Sequence, residues 1–110
     1  MDKRYMALGT SMLVLKLLEQ QDMYGYQIIR ELEQQSQTVF QLQEGTLYPI
    51  LHTLEQQKAV TGYHQTAENN RIRKYYAITP YGKQMLNQKL KEWAVYQTAV
   101  NQVIGGVLFG

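Results

Sequence analysis

The sequence has 110 residues, of which 45% are hydrophobic and 18% charged, a composition typical of one globular domain rather than a disordered chain. It contains no cysteine, which excludes disulfides, thiolate nucleophiles and cysteine-based metal sites. The formal net charge of +2 is too small to indicate nucleic-acid binding by itself, so the position of the charges matters more than their sum.

The first predicted helix contains the apolar residues of positions 8–18, which extend around more than one side of the helix. We therefore expect one side to pack in its own domain and the other to face a partner. Lys16 interrupts the apolar run, which is too short to cross a bilayer, and no small-residue cleavage site follows the charged N-terminus. These features favour a cytoplasmic protein, and Asp22 is expected to cap the next helix.

Two further helices follow in the first half of the chain. An amphipathic second helix is predicted from about Tyr24 to Gln37. The third helix has a single apolar face, whose residues recur at spacings of three, four and seven: Leu47, Ile50, Leu51 and Leu54. Pro49 leaves two possible starts for this helix, because either Thr46 caps it or it begins near Glu44 and bends at Pro49.

The hydrophobic period then changes to that of a β-hairpin. Val60–Ala67 and Ile72–Thr79 are rich in β-branched and aromatic residues, and an Asn-Asn pair between them suits the positive φ values of a tight turn. Pro80 is well placed to open a last helix. Along that helix an apolar seam recurs every three or four residues, with one polar member: Leu86, Leu90, Trp93, Gln97, Val100, Ile104 and Val107.

The order of these elements predicts an α+β, mostly α fold: a winged helix-turn-helix (α-α-α-β-β) over residues 1–79 and a long C-terminal dimerisation helix over residues 80–110. The two parts are expected to form one compact unit, in which the Gly105-Gly106 pair frays or ends the last helix. The seam is too long for the core of so small a domain, so we expect a homodimer that buries it.

The candidate DNA-binding residues follow from this arrangement. A third helix braced by a second can enter a major groove, where Thr46, Tyr48 and His52 can donate hydrogen bonds to base edges or phosphates. Arg71, Arg73 and Lys74 follow the turn and can reach phosphates or the minor groove. The alternative is that the first set is merely solvated and that the second protects a strand edge.

The period of a β-strand separates these basic residues: Arg71, Arg73 and Tyr75 are predicted on one side of the hairpin, and Ile72, Lys74 and Tyr76 on the other. The sequence shows no glycine-rich phosphate loop, no paired carboxylates and no metal-ligand spacing. We therefore expect neither an enzyme nor a bound cofactor or metal.

Three segments, 24–28 (YGYQI), 45–51 (GTLYPIL) and 73–79 (RKYYAIT), occur in this order, with Leu54-Glu55 after the second and Gly82 after the third. Together they resemble the PadR family of transcriptional repressors, and the resemblance extends from about Tyr5 to Ile104. The single C-terminal helix is similar to that of the short subfamily.

The resemblance implies a homodimer, a palindromic operator in double-stranded DNA and repression that a small molecule or a stress signal relieves. It implies that Thr46, Tyr48 and Pro49 face the DNA and that Tyr24 and Tyr26 lie near its backbone or pack behind the helix. It also implies that the wing residues Arg71, Arg73 and Lys74 touch phosphates or the minor groove. His52 stands where members often carry a basic residue, so a neutral histidine there weakens the electrostatic part of binding.

Trp93 suggests a ligand site, although a lone tryptophan on such a seam is more often part of a core. On a dimer axis it would place two indoles face to face, and a planar apolar ligand could slot between them. The segment around Trp93 resembles a multidrug-binding member of the short subfamily, and that resemblance implies a pore lined by Trp93 together with Tyr5, Leu8, Ser11, Met12, Leu90, Tyr96 and Gln97. Leu90 replaces an aromatic ring of that member and Gln97 an acid, which removes a counter-charge for cationic drugs.

The sequence leaves two alternatives to a ligand-controlled, DNA-binding repressor. A winged helix can act as a protein-interaction module without DNA binding, and the acidic residues Glu31 and Glu33 of the second helix favour this slightly. Alternatively, ligand carriage in a dimer pore could be the main function.

Overall fold

The first three helices pack against a small sheet, and a fourth helix follows its last strand, as a computed structural model of the chain shows. The structure describes the backbone of residues 3–109 and the side chains of residues 9–105. The elements follow in the order α1 (Lys3–Gln20), β1 (Met23–Tyr24), α2 (Gly25–Gln35), α3 (Glu44–Gln56), β2 (Val60–Thr66), β3 (Ile72–Ile78) and α4 (Pro80–Phe109). The predicted winged-helix class and the long C-terminal helix are confirmed.

The sheet is antiparallel, and β3 lies between β1 and β2. Strand β1 consists of two residues, with Met23 opposite Tyr76 and Tyr24 opposite Tyr75. Such a short strand carries no readable alternation, which is why it was not predicted. It ties the start of α2 to the wing, since α2 begins at the residue that follows β1.

One prediction about a helix start is wrong, and for the third helix the structure selects the start near Glu44 from the two that the sequence allowed. Asp22 does not cap α2, because Tyr24 occupies the cap position and makes no side-chain capping bond. The Asp22 carboxylate instead accepts a 2.6 Å hydrogen bond from the Tyr63 hydroxyl. Helix α3 begins at Glu44, so Pro49 lies inside it and Thr46 is not its cap.

The turn between the wing strands agrees with its sequence. Asn69 and Asn70 have φ values of 63° and 59°. Asparagine tolerates this left-handed region better than most residues. The predicted role of the Asn-Asn pair is therefore confirmed.

Helix α4 is anchored where it begins. The Thr79 hydroxyl donates to the Lys58 carbonyl at 2.7 Å and accepts from the Gly82 backbone N–H at 2.9 Å. A Cβ on Gly82 would collide with the Ala59 carbonyl oxygen, so only glycine lets α4 pack this close to the α3–β2 corner.

The later course of α4 also differs from expectation. The helix does not end at Gly105-Gly106 but continues to Phe109. Within the residues that the structure describes, no helix is both long and apolar enough to cross a membrane.

The core lies between α1, α2, α3 and the inner side of the sheet. Its largest fully buried side chains come from every helix and from the first two strands: Val14, Leu15, Leu18, Met23, Ile28, Leu47, Leu51, Leu54, Val60 and Leu86. The apolar face predicted for the third helix is therefore the face that packs, which turns its polar face to solvent.

Candidate nucleic-acid interface

The exposed face of α3 carries the residues that the sequence predicted for DNA contact. Thr46, Tyr48, Pro49 and His52 are all exposed, whereas Leu47, Leu51 and Leu54 of the same helix are buried. Hydroxyl, phenol and imidazole groups can each donate a hydrogen bond to a phosphate or a base edge. The geometry therefore permits this helix to present its polar face to a groove.

Tyr48 is held by the start of α2. A Cβ on Gly25 would lie 2.6 Å from the Tyr48 hydroxyl oxygen and 2.8 Å from the ring carbon that bears it. Glycine at position 25 therefore makes room for the phenol ring, which remains 44% exposed. Tyr24 and Tyr26 flank this glycine, and Tyr26 is itself exposed. The YGY motif therefore contains the point at which α2 contacts α3.

The outer face of the sheet, which we define as Tyr24, Tyr63, Arg73 and Tyr75, is aromatic and basic. The Tyr24 and Tyr75 rings meet edge to face with centroids 5.4 Å apart, and Tyr63 stacks on Tyr75 at 5.8 Å. The Arg73 guanidinium lies over the Tyr24 ring, 4.5 Å from its centroid. This cation–π contact orients the guanidinium without neutralising its charge.

The inner face of the sheet, defined here by Gly62, Lys74 and Tyr76, packs toward α3. Lys74 Nζ forms an ion pair with Glu55 Oε1 of α3 at 3.1 Å, and this hydrogen bond raises the pKa of Lys74. A Cβ on Gly62 would collide with the Lys74 side chain, so glycine leaves space for the pair. The predicted alternation of the strand is confirmed, and it separates Lys74 from the arginines with which the sequence had grouped it.

The two wing arginines have no ion-pair partner in the part of the chain whose side chains the structure describes. Among the side chains of residues 9–105, ion pairs join Lys16 to Glu19 and Lys74 to Glu55, and none involves Arg71 or Arg73. Arg71 is exposed directly before β3. Two unpaired guanidinium groups on one side of the wing suit an anionic partner.

Glu55 is a residue of this region that sequence reasoning did not single out. It lies in α3 shortly after the 45–51 motif, but its contact is with a strand residue 19 positions later. No local pattern encodes a pair between a helix and a strand, although the opposite charges at Glu55 and Lys74 are visible in the sequence.

The predicted ligand residues fall into separate groups. Met12 and Leu90 are partly buried against the core of their own domain, and Ser11 is also partly buried on α1. Trp93, Tyr96 and Gln97 are exposed further along α4, where Trp93 stacks on Tyr96 with ring centroids 5.9 Å apart. The side chains of Tyr5 and Leu8 lie outside the described residues.

Comparison with known proteins places this geometry in a family. Residues 14–88 match the transcriptional regulator PadR-like family. The structure is similar to that of a PadR family transcription regulator from Clostridium difficile R20291, with a TM-score of 0.72, 32% identity, and coverage of 86% of this chain and 96% of the other.

Two more solved structures support the match. A PadR-like transcriptional regulator from Bacillus cereus ATCC 14579 gives a TM-score of 0.76 at 27% identity, over 86% of this chain and 90% of that one. A Streptococcus mutans UA159 protein gives 0.79 at 35% identity, over 91% and 90% of the two chains. The chain therefore belongs to the PadR-like family of transcriptional regulators, a family of DNA-binding regulators and not of enzymes.

Proposed function

We propose that this protein is a homodimeric, sequence-specific repressor that binds a palindromic operator in double-stranded DNA. The observation that carries the proposal is a chain of contacts from α3 to the wing. Tyr48 packs over Gly25, Tyr24 precedes that glycine, and Arg73 lies over the Tyr24 ring. This recognition surface joins the exposed face of α3 to the outer face of the sheet, as binding to a groove and its flanking phosphates requires.

Each part of the recognition surface has its own task. Thr46, Tyr48 and His52 donate to base edges or phosphates in the major groove, and Pro49 lies against the duplex beside them. Tyr26 stands at the start of α2, where it can meet the sugar–phosphate backbone. Arg71 and Arg73 contact phosphates or the minor groove, whereas we leave Lys74 out of the contact set because Glu55 already neutralises it.

Dimerisation would use the distal half of α4. This segment exposes large apolar side chains along its length: Trp93, Val95, Tyr96, Val103 and Ile104. An isolated domain would lose stability or solubility by leaving such a surface in water, and a second copy covers it symmetrically. To read the two halves of a palindromic operator, the two α3 helices of the dimer would have to lie about one turn of DNA apart, roughly 34–36 Å.

Relief of repression is proposed to come from a small planar apolar effector held between the two Trp93 indoles. The ring is 46% exposed in the protomer and already stacks on Tyr96, so an aromatic surface is available. Gln97 contributes no negative charge there, which favours neutral over cationic ligands. Such an effector changes DNA affinity only through its different affinities for two dimer forms.

The first test is fluorescence anisotropy of labelled DNA from upstream of the protein's own gene, against a scrambled duplex, at two salt concentrations. We expect tighter, salt-sensitive binding to the native duplex. The variants Tyr48→Ala and Gly25→Ala should each weaken specific binding by about 1–3 kcal/mol, the first by deleting the phenol and the second by displacing it.

A matched control is Tyr81→Ala, since Tyr81 is also exposed but lies at the start of α4, away from the recognition surface. Unchanged operator binding by Tyr48→Ala would remove α3 from the interface. If the wild-type protein binds neither duplex at low salt, the protein-interaction module becomes the better explanation.

The dimer and the effector can be tested with one probe, because Trp93 is the sole tryptophan of the sequence. Its fluorescence should shift to shorter wavelength when the protein dimerises, and a dilution series combined with sedimentation velocity can check this. Planar ligands should quench the same fluorescence. Trp93→Ala should weaken the dimer or abolish ligand binding. If dimerisation and ligand binding both survive in that variant, the assignment of this seam is wrong.

A further inference from the structure

A concave surface lies between α2 and the tip of the wing. It is a cleft of about 380 Å³, within the range of small-molecule sites, and three guanidinium groups line it. Arg71 and Arg73 come from the wing, and Arg30 comes from the exposed side of α2. Sequence analysis did not select Arg30, because a lone arginine on an amphipathic helix resembles any solvated residue.

Two carboxylates share the cleft with these arginines without forming an ion pair with them. Glu31 and Glu68 also line it, yet none of the three arginines forms an ion pair with any carboxylate of residues 9–105. Glu31 accepts a hydrogen bond from the Gln35 amide of the next helical turn at 3.2 Å. The guanidinium groups therefore retain their donors for a ligand.

Aromatic rings support two of the three guanidinium groups. Arg73 lies 4.5 Å from the centroid of the Tyr24 ring, and Arg30 lies 5.9 Å from that of Tyr26. Tyr24 and Tyr75, which pack edge to face, form one wall of the cleft. Arginines held in this way lose less conformational entropy when they bind an anion than freely moving side chains do.

We propose that this cleft binds a phosphate group, with Arg30 as a ligand alongside Arg71 and Arg73. A phosphate offers several oxygens to guanidinium forks that approach from different elements, whereas one carboxylate offers two. The phosphate can come from the DNA backbone, in which case the inference rests on the proposed function, or from a free phosphorylated small molecule. In the second case the molecule would compete with DNA for Arg71 and Arg73.

The test uses pyrophosphate as the probe, titrated into the full-length protein at low ionic strength without DNA and followed by calorimetry. We expect Arg30→Ala to weaken binding at least about tenfold. Lys91→Ala, which removes an equal charge from an exposed position on α4, should bind as the wild type does. Failure of the wild type to bind, or equal binding by wild type and Arg30→Ala, would exclude a free phosphorylated ligand, and the proposal is overturned if Arg30→Ala also leaves the salt dependence of DNA binding unchanged.

A second measurement identifies the source of the phosphate. If Arg30→Ala lowers the slope of log K against log salt for native DNA by about one, the cleft holds a backbone phosphate. If that slope is unchanged while pyrophosphate binding is lost, the ligand is a free phosphorylated compound. If the protein binds pyrophosphate through Arg30 but binds no DNA, the proposed function is refuted and the cleft is not. If it binds DNA but Arg30→Ala changes neither assay, the cleft is refuted and the proposed function is not.

Discussion

The two faces of strand β3 each present one cation and one tyrosine, yet their surroundings are opposite. On the inner face Lys74 is paired with Glu55 and Tyr76 is 6% exposed, so both serve the contact between wing and α3. On the outer face Arg73 lies over Tyr24 with no carboxylate partner among the described residues, and Tyr75 stands in a row of rings. Neighbouring residues in a strand point to opposite sides, so adjacent positive charges can serve stability and binding separately.

The largest expected effect is on the inner face. Tyr76→Ala removes a buried ring and should lower the free energy of unfolding by about 3–5 kcal/mol. Urea denaturation of Tyr76→Ala and of Tyr75→Ala, its outer-face neighbour, measures the contrast. We expect a clearly smaller loss for Tyr75→Ala, and equal losses would show that the outer rings are as much part of the core as Tyr76.

The next effect concerns DNA affinity. Arg73→Ala should lower operator affinity and reduce the salt slope by about one, with little change in stability, because its charge has no carboxylate partner among residues 9–105. Arg73→Lys should keep the slope but recover only part of the affinity, since an ammonium lacks the planar stacking surface of guanidinium. Anisotropy titrations at several salt concentrations give both quantities, and an unchanged slope in Arg73→Ala would take this residue out of the interface.

Lys74→Met is the matched charge deletion on the inner face, and its effect should be smaller. It should leave the salt slope unchanged and cost at most about 1 kcal/mol of stability, since both members of the pair are partly solvated. The exchanged pair Glu55→Lys with Lys74→Glu should recover stability that either single change loses. A salt slope lowered by Lys74→Met would instead make Lys74 a phosphate contact.

The smallest effect is expected at alkaline pH. The hydrogen bond to Asp22 raises the pKa of Tyr63 from 10.0 to about 12. Because the pKa is higher in the folded state, the stabilisation is complete below about pH 10 and is lost as the pH rises through 12. Burial also raises the pKa of Tyr76, so absorbance titration near 295 nm should show more than one late tyrosine in the wild type. Tyr63→Phe should lose one of them, and identical curves would contradict the bond.

Periodicity was sufficient to predict most of this fold. The apolar spacing of α3, the alternation of β3 and the Asn69-Asn70 turn are local patterns, and each appears in the structure as expected. Strand β1 escaped prediction because pairing with β3, and not a pattern of its own, makes it a strand. The continuation of α4 past Gly105 was missed because propensity alone argued for an end there.

The candidate site could be predicted residue by residue but not as a surface. The motifs identified Tyr48, Gly25 and Arg73, whereas only the fold shows that Tyr24 joins them. Likewise, the sequence showed the charge of Lys74 but not its pairing with Glu55. Arg30 became a candidate ligand only because the fold places it across a cleft from the wing. Contacts between elements distant in sequence are the information that local patterns lack.

The close packing of Tyr48 against Gly25 has a consequence for engineering new DNA specificity. A side chain at position 25 and a full-sized ring at position 48 compete for the same volume, so substitutions at the two positions should not behave independently. A library that varies position 48 alone explores only residues that fit over a glycine. Joint randomisation of positions 25 and 48 would also sample pairs in which a smaller residue at 48 makes room for a side chain at 25.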